Sequence, residues 1–237
     1  MLLAFETSAK AASVALFDGQ TLLGECYQNT GLTHSQTLMV MAQQLLEQCG
    51  VEVSRLDGVA VAEGPGSFTG VRIGMAAAKG LAWGGELPLY GVSTLYAMAL
   101  GLGVYQGYIC PVMDARRSQV YNALFYVNQG ILTRVAPDRA IALEELKNEL
   151  AALDGPIYLV GDGAALCHRT LSGEVDGLVM PAGHRMHQRA VGVGLAALEK
   201  IHIGDPGDGK ALVPNYLRLS QAERERLEKS GKMKAGN

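Results

Sequence analysis

The opening stretch of this chain returns 108 residues later, and this repeat limits the possible folds more than any other feature. With the shift, Glu6 falls on Asp114, and Ala15-Leu16-Phe17 falls on Ala123-Leu124-Phe125. The surroundings repeat as well. Each copy reads as an apolar run ending in an acid, a short turn, a second apolar run, a polar break and a third run. In the first copy the predicted strands are 2–8, 13–18 and 22–27, with Asp18-Gly19 as a hairpin turn. The second copy opens with a strand at 109–114. A duplication of this kind calls for two similar lobes.

Helices alternate with strands after each triplet. Thr33-His34-Ser35-Gln36 has the spacing of a capping box and predicts a helix to about Cys49, stopped by Gly50. Leu38, Met41, Ala42, Leu45, Leu46 and Cys49 form its apolar stripe. Met39 and Val40 lie off that stripe, so more than one face is apolar. Residues 56–62 are a continuous apolar run, the pattern of a buried parallel strand. Gly64-Pro65-Gly66-Ser67 leads into a second helix to about Trp83. A strand at 89–92 and a helix from Ser93 follow. The second copy continues with a helix near 143–153, a strand at 157–160, the turn Gly161-Asp162-Gly163 and a small-residue helix at 190–200.

The expected organisation is an N-terminal lobe 1–106 and a C-terminal lobe 107–220, whose last part is able to pack back on the first. A polar tail 221–237 follows. Strand–strand–strand–helix–strand–helix, twice, is an α/β arrangement of mixed sheets flanked by helices. It resembles the two similar lobes of the actin, sugar-kinase and heat-shock-ATPase superfamily, a ribonuclease H-like architecture. There each lobe begins with an acid at the end of its first strand, and nucleotide lies between the lobes.

Charge and cysteine usage narrow the function. Twenty Lys and Arg stand against 23 Asp and Glu, a net charge of −3. A standalone nucleic-acid binder needs a basic face, so that class is disfavoured. The four cysteines are widely spaced without a C-x-x-C pair, which speaks against a zinc site or disulfide framework and for a reduced, cytoplasmic setting. The first six residues already contain an acid, unlike a signal peptide. No charge lies between Glu86 and Asp114, but two prolines and several polar residues interrupt that stretch. Its densest apolar part, 95–104, is too short to span a bilayer.

The most distinctive segment is Glu63-Gly64-Pro65-Gly66-Ser67-Phe68-Thr69-Gly70-Val71-Arg72-Ile73-Gly74. A glycine-rich turn before a helix can aim N–H groups at an anion. It is not a Walker A loop, because no Gly-Lys-Ser/Thr follows at the right spacing. A second reading uses the four-residue period of Gly66, Gly70, Gly74, Ala78 and Ala82. Such a ridge lets another helix approach closely, either a partner's or part of its own lobe.

The string at 64–82, G-P-G-S-F-T-G-V-R-I-G-M-A-A-A-K-G-L-A, resembles the signature of the bacterial TsaB family, also called YeaZ. Phe5-Glu6-Thr7-Ser8, Val92-Ser93-Thr94-Leu95, Asp114-Ala115-Arg116 and Pro214-Asn215-Tyr216-Leu217-Arg218 match in family order. Glu6 departs from the Asp usual in the family, keeping the charge with a longer reach. The resemblance implies a role in making threonylcarbamoyladenosine in tRNA, as the non-catalytic partner of the paralogue TsaD. It implies a partner surface built from Leu38, Met41 and Leu45 on the first helix and Gly66, Phe68, Gly70, Arg72, Gly74 and Ala78 on the second. It also implies a homodimer when the chain is alone, a TsaE-like ATPase in the full complex, and tRNA contact only through that complex. ATP and metal are expected on the partner subunits, and none on this chain. TsaD holds metal with His-x-x-x-His on its first helix. Here His34 is followed four residues on by Leu38, and one imidazole does not hold a metal.

The remaining candidates form a vestigial nucleotide cleft: Glu6, Thr7, Ser8, Asp114, Arg116, Gly161, Asp162 and Gly163. Kinases of this fold want Gly after the first acid, and none is present. Asp114 and Arg116 suit either metal-bound phosphate or a lobe junction. Gly161-Asp162-Gly163 suits either adenosine or a tight turn. The expectation is no catalytic residue. The alternative is an enzyme of the same fold, a small-molecule kinase or a metallopeptidase-like hydrolase.

Overall fold

A computed structural model of the chain describes residues 1–103 and 105–218. The polar tail expected at 221–237 lies outside the described residues. Two five-stranded mixed sheets form, and each is a copy of the other. The first comprises β1 (Leu2–Glu6), β2 (Ala12–Asp18), β3 (Thr21–Gln28), β4 (Gly58–Gly64) and β5 (Leu89–Ser93), in the order β3-β2-β1-β4-β5. The second comprises β6 (Gly107–Asp114), β7 (Gln119–Asn128), β8 (Ile131–Ala142), β9 (Ile157–Val160) and β10 (Leu178–Val179), in the order β10-β9-β6-β7-β8. Read from the other edge, the second order matches the first strand for strand. In both, the first two strands pair antiparallel and the first and fourth pair parallel. β1 and β4 are therefore flanked on both sides, which is why their sequences are almost wholly apolar.

Each lobe has two helices on one face of its sheet. In the first they are α1 (His34–Gln48) and α2 (Phe68–Gly84). Leu38, Met41, Leu45 and Leu46 of α1 and Met75, Ala78 and Ala82 of α2 close over Leu3, Phe5, Val14, Leu16, Val59 and Val61. In the second lobe α4 (Leu143–Ala151) and α5 (Ala164–Leu171) play the same part. Thr33 stands at the N-cap of α1 with extended backbone, but its side chain makes no capping hydrogen bond, contrary to the capping-box expectation. His34 holds that end instead: its Nε2 lies 2.8 Å from the Ala9 carbonyl oxygen.

The third helix of each half crosses over. α3 (Thr94–Gly101) follows the first sheet, yet its Leu95, Met98 and Ala99 lie with Ile109, Met113 and Phe125 of the second. α6 (Ala190–His202) follows the second sheet, yet Ala190, Val193, Ala196 and Ala197 cover Leu2, Ala4, Ala15, Phe17 and Ala60 of the first. Its start is fixed there by an Ala190 N–H donated to Ser13 Oγ at 2.7 Å and by an Arg189–Glu25 ion pair from β3. α3 and α6 cross closely at Gly192, where a Cβ would lie 2.0 Å from the Ala97 carbonyl oxygen. Among the described residues no helix is long and apolar enough to cross a membrane.

Candidate functional site

β1 and β6 end at corresponding places in the two sheets, in Glu6, which is buried, and Asp114, which is exposed. The two acids make the same local contact. Glu6 Oε1 accepts the Ser8 N–H at 2.5 Å, and Asp114 Oδ1 accepts the Arg116 N–H at 2.7 Å. Other backbone donors around the cleft are held within the chain. Ser67 N–H goes to the Ser8 carbonyl at 2.6 Å, Ala115 N–H to Gln119 at 3.0 Å, Gly161 N–H to Met186 at 2.7 Å and Gly163 N–H to Val112 at 3.1 Å. A phosphate cradle needs such donors free and converging.

Glu6 is fully buried, and its Oε2 finds no donor among the described residues. Burial pushes its carboxyl up to about 7, against the opposing hydrogen bonds from Ser8, and the Asp162 charge adds to the rise. Asp162 sits in the turn between β9 and α5, where burial also raises it; its Oδ1 accepts from Gln188 Nε2 at 2.9 Å. The structure thus brings Glu6 together with Asp162 across the two lobes. Gly161 and Gly163 are required by packing, since Cβ atoms there would lie 2.3 Å from the Val112 carbonyl oxygen and 3.0 Å from Met113 backbone. Four N–H groups of these residues are thus engaged within the chain, whereas the buried Ser8 Oγ has no partner among the described residues.

The small-residue ridge faces inward, a correction to the partner surface expected from the sequence. A Cβ on Gly66 would lie 2.5 Å from the Ser8 carbonyl oxygen, one on Gly70 2.1 Å from that of Thr7, and one on Gly74 2.3 Å from Thr7 Oγ1. Thr7 Oγ1 donates to the Gly70 carbonyl at 2.8 Å, so the glycines seat α2 on the β1–β2 turn. Ala78 is fully buried. Leu38, Met41 and Leu45 are likewise core residues, because the apolar stripe of α1 is the side that meets its own sheet. Of the expected surface, Phe68 is half-buried and Arg72 exposed at the start of α2.

The surface that α1 and α2 do present is another set of residues. Ser35, Gln36, Met39, Val40, Gln43, Gln44, Glu47 and Gln48 are exposed on α1, with Glu47 as the charge among them. Thr69, Arg72, Ala76, Gly80, Trp83 and Gly84 are exposed on α2, with half-buried Lys79 on the same row. Met39 and Val40 are about half exposed, at 46% and 51%, and Trp83 at 70%. A helix pair that exposes Met39, Val40 and Trp83 among mostly uncharged residues is suited to another helix pair. The sequence signal for it was the apolar character of Met39 and Val40 off the main stripe. At the N-terminal end of α2 the Tyr216 ring stacks on Phe68 at 4.7 Å, and Tyr216 OH accepts from Arg72 Nε at 2.8 Å. Sequence reasoning matched this C-terminal motif without finding that role.

Two lobes of one topology, each with an acid at the end of its first strand, define the actin-like ATPase class of fold. A solved structure of component A of (R)-2-hydroxyglutaryl-CoA dehydratase from Acidaminococcus fermentans shares that fold, with a TM-score of 0.51 at 11% identity, covering 85% of this chain and 98% of the other. A family model described as TsaD, tRNA N6-adenosine threonylcarbamoyltransferase, matches residues 28–225. The tRNA threonylcarbamoyladenosine biosynthesis protein TsaB of Bacillus subtilis (strain 168) is 34% identical over 227 residues, covering 96% of this chain and 98% of the relative. Its namesake in Escherichia coli (strain K12) is 35% identical over 165 residues, covering 68% and 71%. YeaZ from Pseudomonas aeruginosa superposes with a TM-score of 0.77 at 26% identity, covering 91% of this chain and 99% of that structure. The chain belongs to the TsaB (YeaZ) family, whose members share their fold with the TsaD paralogues.

Proposed function

We propose that this protein is a non-catalytic subunit in the biosynthesis of threonylcarbamoyladenosine in tRNA, acting by binding a TsaD-like paralogue. The observation that carries the reading is the pair of acids, Glu6 and Asp114, each engaged by the N–H of its own turn. In this reading ATP and metal are handled by the partner subunits. A TsaE-like ATPase joins the complex, tRNA is met only through it, and the setting is cytoplasmic. The outer face of α1 and α2 serves the paralogue and, when the chain is alone, a second copy of itself. Relatives carrying the TsaB name support the pathway, and the mostly uncharged helix face with Met39, Val40 and Trp83 exposed supports the mode of binding. Sedimentation of the purified chain with and without a TsaD-like protein tests it. The expected results are a heterodimer in the mixture and no ATP turnover by the chain alone. A monomer that ignores the paralogue, or robust ATP turnover lost on Asp114→Ala, would overturn the reading.

A further inference from the structure

Residues 214–218, Pro-Asn-Tyr-Leu-Arg, reach from the start of α2 to the opposite side of the cleft. Asn215 N–H donates to the Glu63 carbonyl at the end of β4, at 2.7 Å. Tyr216 covers the outer side of Phe68 and takes a hydrogen bond from Arg72, whose guanidinium carbon also lies 3.7 Å from the Phe68 ring centre. Two residues later, Arg218 Nη1 donates to the carbonyls of Ala115 and Arg116 in the β6–β7 turn of the second lobe. That turn holds three consecutive residues, Arg116, Arg117 and Ser118, at φ of 62°, 55° and 56°. Left-handed backbone at non-glycine residues is strained, and it persists where neighbours hold it. Arg218 is one such neighbour.

We infer that residues 214–218 are a strap that competes with the paralogous partner for Phe68 and Arg72, and that Arg218 ties this competition to the second lobe. The inference rests on the partner reading above and adds a control to it. Arg72 is an exposed cation at the N-terminal end of the α2 face. A partner offering it a carboxylate or an aromatic ring must displace Tyr216. Tyr216 and Arg218 are separated by one residue, about 7 Å of extended chain, so lifting one loosens the other. By reciprocity, loosening the β6–β7 turn favours partner binding as much as partner binding loosens the turn.

Peptide-resolved hydrogen exchange on the full chain, wild type against Arg218→Ala, tests the strap without any partner. Exchange should quicken in 115–119, which Arg218 touches, and also in 68–72, which it does not. Quickening confined to 115–119, or none, would overturn the strap. A titration with the TsaD-like paralogue tests the competition. Arg218→Ala should bind about fivefold tighter or more, the low end of ordinary coupling between sites. Equal or weaker binding than wild type would overturn the competition. A wild-type chain that binds no paralogue would refute the partner reading instead, and the exchange result would still decide the strap.

Discussion

Glu6 shows how much a single residue can reveal before its surroundings are known. Its place at the end of a strand, repeated at Asp114, was legible from the 108-residue shift, as was the lack of a following glycine. Its burial and its approach to Asp162 were not, because they depend on how two lobes separated by more than 100 residues close on each other. The consequence is measurable. Below about pH 4.5, Glu6 holds its proton in both folded and unfolded chains. Between about 4.5 and 7 the folded state keeps a proton the unfolded chain has lost, so its contribution to stability declines as pH rises through that window. The loss is about 3 kcal/mol, at about 1.4 kcal/mol per unit. Glu6→Gln keeps an acceptor for Ser8 and removes the titration. Urea unfolding should find the variant stabilised by about 2–3 kcal/mol at pH 8 and nearly unchanged at pH 4. Equal stability of the two proteins at pH 8 would show that Glu6 is ionised without cost.

The helix α2 carries two different messages on two faces, and the sequence makes only one of them conspicuous. A period of four in small residues marks close approach, but it does not say to what. The answer is the β1–β2 turn, because Thr7 and Ser8 fill the space that Cβ atoms at Gly66, Gly70 and Gly74 would take. Gly74→Leu should therefore destabilise the folded chain by at least about 2 kcal/mol, through overpacking against Thr7 and Val61. A thermal melt checks this, and an unchanged melt with lost association would restore the ridge to the interface. Ala76→Arg on the exposed face should do the opposite. Stability should move by about 0.5 kcal/mol or less, while affinity for the paralogue falls at least about tenfold, read by titration calorimetry. The exposed row was hard to see in the sequence because small and uncharged residues signal core and contact surface alike.

The whole molecule is held together by an exchange of helices between its halves. The duplication and most element positions follow from local pattern, and the return of the last part of the chain to the first lobe was anticipated, whereas the strand order and the crossing of α3 are long-range choices that no local signal encodes. The lobe division at 106 and 107 leaves α6 in the second stretch of sequence, although its contacts lie on the first sheet. Without α6, the first lobe exposes Leu2, Ala4, Ala15, Phe17 and Ala60 on one face. Residues 1–106 and 107–237 made separately should each lack a cooperative melting transition, whereas the intact chain should melt as one unit. Two independent transitions in the fragments would contradict the exchange. The central claim is that the outer helix face works and the cleft does not. Its most direct test is threonylcarbamoyl transfer to tRNA in a reconstituted system of this chain, a TsaD-like subunit and a TsaE-like ATPase. The expected result is near wild-type transfer with Glu6→Gln/Asp114→Asn and loss of transfer with Ala76→Arg. Full transfer with Ala76→Arg, together with loss in the cleft variant, would contradict it.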